Sequence, residues 1–202
     1  MAGKEKLDVR EACLEEALRM ISLSGVESLS LREVARRLGL SHQAPYKHFP
    51  SRDHILAEVI SREYGHFNDY LESSIRDLSP ELALAAIGRA YLEYGAHHPL
   101  QYRLMFGTPL PDLEQHPELK ARSARTFEIL RDAISALRAG ATPEELTLEG
   151  LFAWSTVHGL ASIMGTKSFA LLGIGGETQL DEAVRHVINH ICAAVIGPGR
   201  AS

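Results

Sequence analysis

Cysteine is almost missing from this chain: Cys13 and Cys192 are the only two in 202 residues. Each falls on the apolar side of a helical pattern, which excludes a disulfide framework and fits buried thiols in a reducing compartment. Aromatic residues reach only 6%, so Leu, Ile, Val and Ala must fill the core, a mix that leans towards helix. No apolar run approaches the roughly 20 residues needed to cross a bilayer. The opening, Met1 to Glu11, is charged and carries no secretory segment. Both absences point to a cytoplasmic protein with no membrane partner. Positive charge is not in excess either, because the formal net charge is −5. What is present is ordinary for a folded chain, with 45% hydrophobic and 23% charged residues. The length allows one domain or two small ones.

The charge is unevenly spread. Between Ser30 and Arg52 stand Arg32, Arg36, Arg37, Lys47 and Arg52 against a single acid, Glu33, with His42 and His48 in the same window. A basic window in an acidic chain suits one end meeting a polyanion while the remainder stays soluble. A solvated helix face would look the same on charge alone.

Nearly every segment repeats its apolar residues at the helical period, and no alternating strand stands out. Asp8 or a neighbour caps a first helix with the stripe Ala12, Cys13, Ala17, Met20 and Ile21, stopping near Gly25. Ser30 caps a short helix built on Leu31, Val34, Ala35 and Leu38, closed by Gly39. Ser41 opens a second short helix through about His48. A long helix begins at Ser51 and reaches about Asp77. Further helices run from Ser79-Pro80-Glu81 towards His97, from Pro99 through Phe106, from Glu118 to Arg138, from Thr142-Pro143-Glu144 onward, and from Glu177 to Ile196. The chain reads as all-α.

Two short helices around a turn at Gly39 make a helix-turn-helix, whose second member can enter the DNA major groove. Ser41, Gln43 and the nearby backbone N–H groups stand at a helix N-terminus, which favours phosphate. His42 and Gln43 lie where side chains meet base edges, and Gln can bond adenine through two hydrogen bonds. Tyr46, Lys47 and His48 follow one turn later, suited to phosphate and sugar. Phe49 is the plug that holds the helix on its support.

These residues carry a resemblance. Leu29-Ser30-Leu31-Arg32-Glu33-Val34-Ala35-Arg36-Arg37-Leu38-Gly39-Leu40-Ser41, then Tyr46-Lys47-His48-Phe49 and Ser51-Arg52-Asp53, resemble the N-terminal domain of TetR-family transcriptional regulators. The resemblance implies a three-helix DNA-binding domain over residues 1–52, joined by a long helix to an effector-binding and dimerisation domain over residues 53–202. It also implies that Arg32 and the segment His42 to Ala44 face bases, while Tyr46, Lys47, His48 and Arg52 hold the backbone. One departure stands out. Where the family has a small polar residue followed by an aliphatic one, this chain has Ala44-Pro45. Pro45 has no N–H and gives up the first intrahelical bond to the Ser41 carbonyl.

A narrower resemblance covers the second half. Trp154-Ser155-Thr156-Val157-His158-Gly159 resembles the Trp-His-Gly signature of one C-terminal domain class of that family. His97-His98-Pro99 and Tyr102-Arg103-Leu104-Met105-Phe106 fit the same class. Trp154 and His158 are four apart and share a helical face, while Gly159 permits another helix to approach. Tyr91, Tyr94, Tyr102, Phe106, Phe127, Trp154 and His158 are the candidates for binding a mostly hydrophobic effector, since an apolar pocket with a few polar groups suits such a molecule. Plain core packing would also use them.

Other chemistries are poorly supplied. His186 and His190 have a zinc-compatible spacing but no carboxylate or cysteine partner near in sequence. Gly173-Ile174-Gly175-Gly176 lacks the strand and the Lys-Ser/Thr of a phosphate loop and reads as a hinge. Ser155 and His158 have no Gly-x-Ser-x-Gly elbow around them. No metal, cofactor or catalytic residue is therefore expected. The last helix carries Leu180, Val184, Val187, Ile191 and Val195 with Ala183, Ile188 and Cys192 beside them. This broad apolar face puts Val184, Val187, Ile188 and Ile191 at a two-fold dimer interface. The expected protein is a homodimeric repressor that binds double-stranded operator DNA and is released by a small molecule. A DNA-binding dimer without effector, or a helical-bundle enzyme holding a metal or cofactor, are the alternatives.

Overall fold

The computed structural model describes residues 8–164, 166, 169, 171–174 and 176–197. Gly175 of the glycine run, Pro198-Gly199 and the opening Met1 to Leu7 lie outside the described residues. Among those described, every regular element is helical: α1 (Val9–Ser24), α2 (Leu31–Arg37), α3 (Arg52–Ser74), α4 (Pro80–His97), α5 (Pro99–Phe106), α6 (Pro117–Leu137), α7 (Pro143–Met164) and α8 (Glu177–Ile196). Short 3-10 turns span Val26–Ser28 and Pro45–Lys47. The chain forms two compact units. One holds the residues up to Gly65 together with Arg103–Ser123; the other holds His66–Tyr102 and the residues from Ala124 onward.

In the first unit, α1 begins where Asp8 accepts the backbone N–H groups of Arg10 and Glu11 at 3.0 and 3.3 Å. Its stripe, from Ala12 and Cys13 to Met20 and Ile21, is buried as the period requires. The α2 core of Leu31, Val34 and Ala35 is buried too. At its end Leu40 N–H returns to the Ala35 carbonyl at 2.9 Å and Gly39 N–H to Arg36 at 3.2 Å. This pair of bonds needs a left-handed residue between helix and turn, and Gly39 supplies it at φ +66°.

The second short helix is not an α-helix. Residues 42–44 form a turn and only Pro45–Lys47 coil further, as 3-10. Proline is the cause. An α-helix here would draw the N–H of residue 45 to the Ser41 carbonyl, and Pro45 has none to give. That carbonyl instead accepts the Ala44 N–H at 3.0 Å, and His48 and Phe49 both bond back to Pro45. The three-helix arrangement is therefore present with its third member tightened to a turn. Phe49, 1% exposed, seals this turn against the core, with the Arg10 guanidinium 5.9 Å above its ring.

In the second unit, α4, α7 and α8 pack together. α7 starts with a reciprocal cap: Thr142 N–H bonds the Glu145 carboxylate at 2.7 Å, and Glu145 N–H returns to the Thr142 hydroxyl at 3.2 Å. α8 turns Val184, Ile188, Ile191 and Val195 inward, at spacings of four, three and four. An added Cβ at Gly88 of α4 would stand 3.5 Å from Ile188 Cγ1, so this glycine brings α4 close to α8. The expected dimer interface needs correcting here. Val184, Ile188 and Ile191 are closed inside their own unit, and of the four residues only Val187 keeps a half-exposed side chain. A terminal helix with two adjoining stripes buries the wider one on its own bundle first.

Candidate functional site

The turn after Gly39 presents the first group of site residues. Ser41, His42, Gln43, Tyr46, Lys47 and His48 are exposed, as is Arg32 on α2, while Ala44 is half-buried. Arg32, His42, Gln43 and Tyr46 line one open concavity of about 390 Å³. Two donors, an amide and an imidazole thus converge from α2 and the turn on one surface. That combination reads base edges and phosphates.

The basic window divides in the structure. Glu33 takes up Arg36 at 2.7 Å and Arg37 at 2.9 Å, three and four residues on. The paired guanidinium groups hold its carboxyl down to about 2. Arg37 also reaches the buried Glu16 of α1. Arg52 is committed elsewhere: its Nη2 donates to the Val26 carbonyl at 2.9 Å and its Nε to that of Leu29 at 3.2 Å. These donors tie the first turn of α3 to the segment before α2 and so position the Arg52 side chain, which remains partly exposed. Arg32 and Lys47 are exposed and form no ion pair among the described residues. The sequence already held the signal for Glu33, whose spacing to both arginines is that of helical ion pairs.

The second group lies within the second unit. His158 Nδ1 stands 2.9 Å from the Tyr91 hydroxyl and 2.7 Å from that of Tyr102. The two hydroxyls are 3.4 Å apart, and Trp154 Nε1 donates to Tyr91 at 3.3 Å. Helices α4, α5 and α7 each supply part of this cluster. The Tyr102 ring lies against α4 at Gly95, where an added Cβ would be 3.4 Å from it. Phe127 sits edge-on to Trp154, and Phe67 edge-on to Tyr91. Tyr91 is buried, whereas Tyr102, Phe127, Trp154 and His158 are half-buried.

Two further candidates take part in other aromatic contacts. Tyr94 stacks in a neighbouring aromatic group with Phe67, Tyr70 and His98. Phe106 belongs to the first unit, edge-on to Tyr64. The Tyr64 hydroxyl donates to the Met105 carbonyl at 3.0 Å, and burial pushes it up to about 12. Phe67 of α3 contacts both aromatic groups.

Burial lowers the His158 imidazole below its ordinary value, so the ring is neutral near pH 7. The unfolded chain then binds the proton more readily, and stability is lost as pH falls through the ordinary imidazole range at about 6.5. His116 in the first unit is lowered for the same first cause. Melting temperature should therefore fall on acidification below about pH 6.5, and His158→Gln should make that fall shallower in thermal melts followed by circular dichroism. An equal fall in the variant would show that His158 does not contribute.

An exposed helix-turn-helix in the first unit, in a chain whose described regular elements are all helical, defines a DNA-binding protein of the helix-turn-helix class. The comparisons agree. Residues 14–59 match the family model for bacterial regulatory proteins of the tetR family, and residues 84–191 match that of the tetracyclin repressor-like C-terminal domain. The chain belongs to the TetR family of transcriptional regulators, a family of regulators and not of enzymes. It is 30% identical over 142 residues to the HTH-type transcriptional regulator Rv1816 of Mycobacterium tuberculosis, a match covering 66% of this chain and 60% of that protein. The chain thus matches about 60% of the length of such curated relatives. A protein of unknown function from Rhodococcus sp. RHA1 shares the fold, with a TM-score of 0.78 and 22% identity over 98% of this chain and all of that one. So does the regulator FadR of Bacillus subtilis, solved with stearoyl-CoA, with a TM-score of 0.66 and 13% identity over 91% and 97% of the two chains.

Proposed function

We propose that this chain is a homodimeric repressor that binds operator DNA and releases it when a mostly hydrophobic small molecule enters the second unit. Residues 1–52 are assigned to DNA and residues 53–202 to effector and partner. The place of action is the cytoplasm, where such DNA is met; no described helix is long and apolar enough to cross a membrane. The observation that carries the reading is the concavity lined by Arg32, His42, Gln43 and Tyr46. It gathers groups for bases and phosphates on an exposed surface, with Lys47 beside them to bind phosphate.

The partner surface moves to α7. Leu148, Phe152, Ser155, Gly159 and Ile163 are all exposed, at spacings of four, three, four and four, on the side opposite the buried Gly150, Ala153 and Val157. At Gly159 an added Cβ meets nothing within 4 Å. A stripe of Leu, Phe and Ile with the small Ser155 and Gly159 between them is a surface on which a helix of a second copy can lie closely. Val187 of α8 remains in the assigned interface. A two-fold dimer supplies two recognition segments to successive major grooves, and the effector favours an arrangement of protomers in which they no longer match. The FadR complex with stearoyl-CoA shows that a protein of this fold can hold a long acyl chain.

The test begins by selecting bound fragments from genomic DNA and measuring affinities by fluorescence anisotropy. Lys47→Ala should weaken binding similarly on all sequences and flatten its salt dependence by about one unit of slope. Gln43→Ala should relax preference at one position by about 1–3 kcal/mol. If Gln43→Ala keeps the full sequence preference, the proline-tightened turn aims this side chain away from the bases. Failure to enrich any fragment would overturn the DNA reading altogether.

A further inference from the structure

We propose that His186 and His190 form a surface site for a divalent transition-metal cation of the Zn²⁺, Ni²⁺ or Cu²⁺ class. The proposal is independent of the DNA and effector readings. The two histidines stand four residues apart on α8, share one of its faces, and are both exposed. Their ring centres are 4.0 Å apart. Two nitrogens bound to one ion at about 2.0–2.1 Å in tetrahedral geometry stand roughly 3.3 Å apart, a spread that rings at this separation can meet. Helical spacing alone leaves the proton positions open. The fold settles one of them. His190 Nδ1 lies 2.8 Å from the His186 carbonyl oxygen. A carbonyl only accepts, so Nδ1 carries a hydrogen, and whenever the ring is neutral its lone pair lies on Nε2. Metal-ligating histidines are held in this way, with the other ring N–H on a backbone carbonyl that fixes tautomer and orientation.

The site is open. Besides the ring contact and the bond to the His186 carbonyl, neither imidazole has a side-chain hydrogen-bond partner among the described residues. No third His, Cys, Asp or Glu joins them there to make a group of three, so water completes the coordination. Two imidazoles with water are a donor set for a borderline cation. Mg²⁺ and Ca²⁺ favour carboxylate and carbonyl oxygens and gain little from it. The pair lies on the side of α8 away from the buried Val184, Ile188, Ile191 and Val195, so neither ring leaves a packed position to bind. An ion held by both rings cross-links successive turns of α8. In the unfolded chain nothing keeps the two rings together, so the ion binds the folded state more tightly and stabilises it.

The experiment is calorimetric titration of the full-length, tag-free protein with zinc, nickel and magnesium chlorides, in a non-chelating buffer near neutral pH. Zinc and nickel should each fill a site on every protomer that magnesium does not occupy, and each should raise the melting temperature by several degrees at saturation. His186→Ala and His190→Ala should each weaken that site by about tenfold or more, and the double variant should lose little beyond either. Both side chains are exposed, so the metal-free melting curves of these variants should match that of the wild type. Arg185→His combined with His186→Ala keeps the number of histidines but sets the pair five apart, on different faces of the helix. It should bind zinc as weakly as His186→Ala. Equal zinc affinity in the wild type and the alanine variants would place the ion on other side chains and overturn the assignment. So would a five-apart pair that binds like the wild type, or a wild-type protein that takes up neither zinc nor nickel.

Discussion

Ile188→Glu should unfold the protein rather than merely separate its protomers. The side chain is 2% exposed and lies against Gly88 of α4. A carboxylate there would have no partner, a change that costs on the order of 3–5 kcal/mol. Domains of this size hold only about 5–15 kcal/mol in total, so most of the margin disappears. Leu148→Glu and Phe152→Glu are the contrast. Those residues are 66% and 43% exposed on the outer stripe of α7. Their replacement should leave the isolated fold within about 0.5 kcal/mol while producing monomers with little operator affinity. Sedimentation velocity and thermal melts on the three variants separate the cases. A folded, monomeric Ile188→Glu protein would return the interface to α8, and wild-type dimers in both α7 variants would remove it from α7.

Phe49→Ala should disable the DNA-binding unit without disturbing the effector cluster. The ring is 1% exposed, and its loss costs about 3–5 kcal/mol in comparable cores. Its own N–H bonds the Pro45 carbonyl at 2.9 Å, so the ring anchors the tightened turn that carries Gln43 and Lys47. DNA affinity should fall on every sequence, unlike the selective loss expected of Gln43→Ala. Trp154 emission belongs to the second unit and should keep its native position. Anisotropy with operator and non-operator DNA, read beside the tryptophan spectrum, gives both results. Unaltered operator binding would show that the turn holds its shape without the plug.

Much of this arrangement was legible in local patterns. Asp8, Gly25, Gly39 and Gly140 mark helix ends because caps and left-handed residues act over a few positions. The helical periods of α1 and α2 identify buried residues for the same reason. The proline in Ala44-Pro45 also announced a disturbed first turn. It could not show how far the disturbance runs, which depends on whether the freed Ser41 carbonyl finds another donor. Ala44 N–H answers that need and the turn stays 3-10. In the aromatic cluster, Trp154 and His158 were joined by spacing, but their link to Tyr91 and Tyr102 was not, because those residues stand more than fifty positions away.

By itself the sequence determined the helical class, the place of the helix-turn-helix, most helix ends and the family, all of which depend on neighbours within a few residues. Three matters were decided by tertiary structure alone. One is the bonding of Arg52 to the carbonyls of Val26 and Leu29, residues more than twenty positions before it. Another is the inward turn of Val184, Ile188 and Ile191. The third is the meeting of two tyrosine hydroxyls on one imidazole. Periodicity shows that a face is apolar or a group polar, but it carries no information about which distant surface will cover it. That choice follows from packing, where whole helices compete for the same buried area.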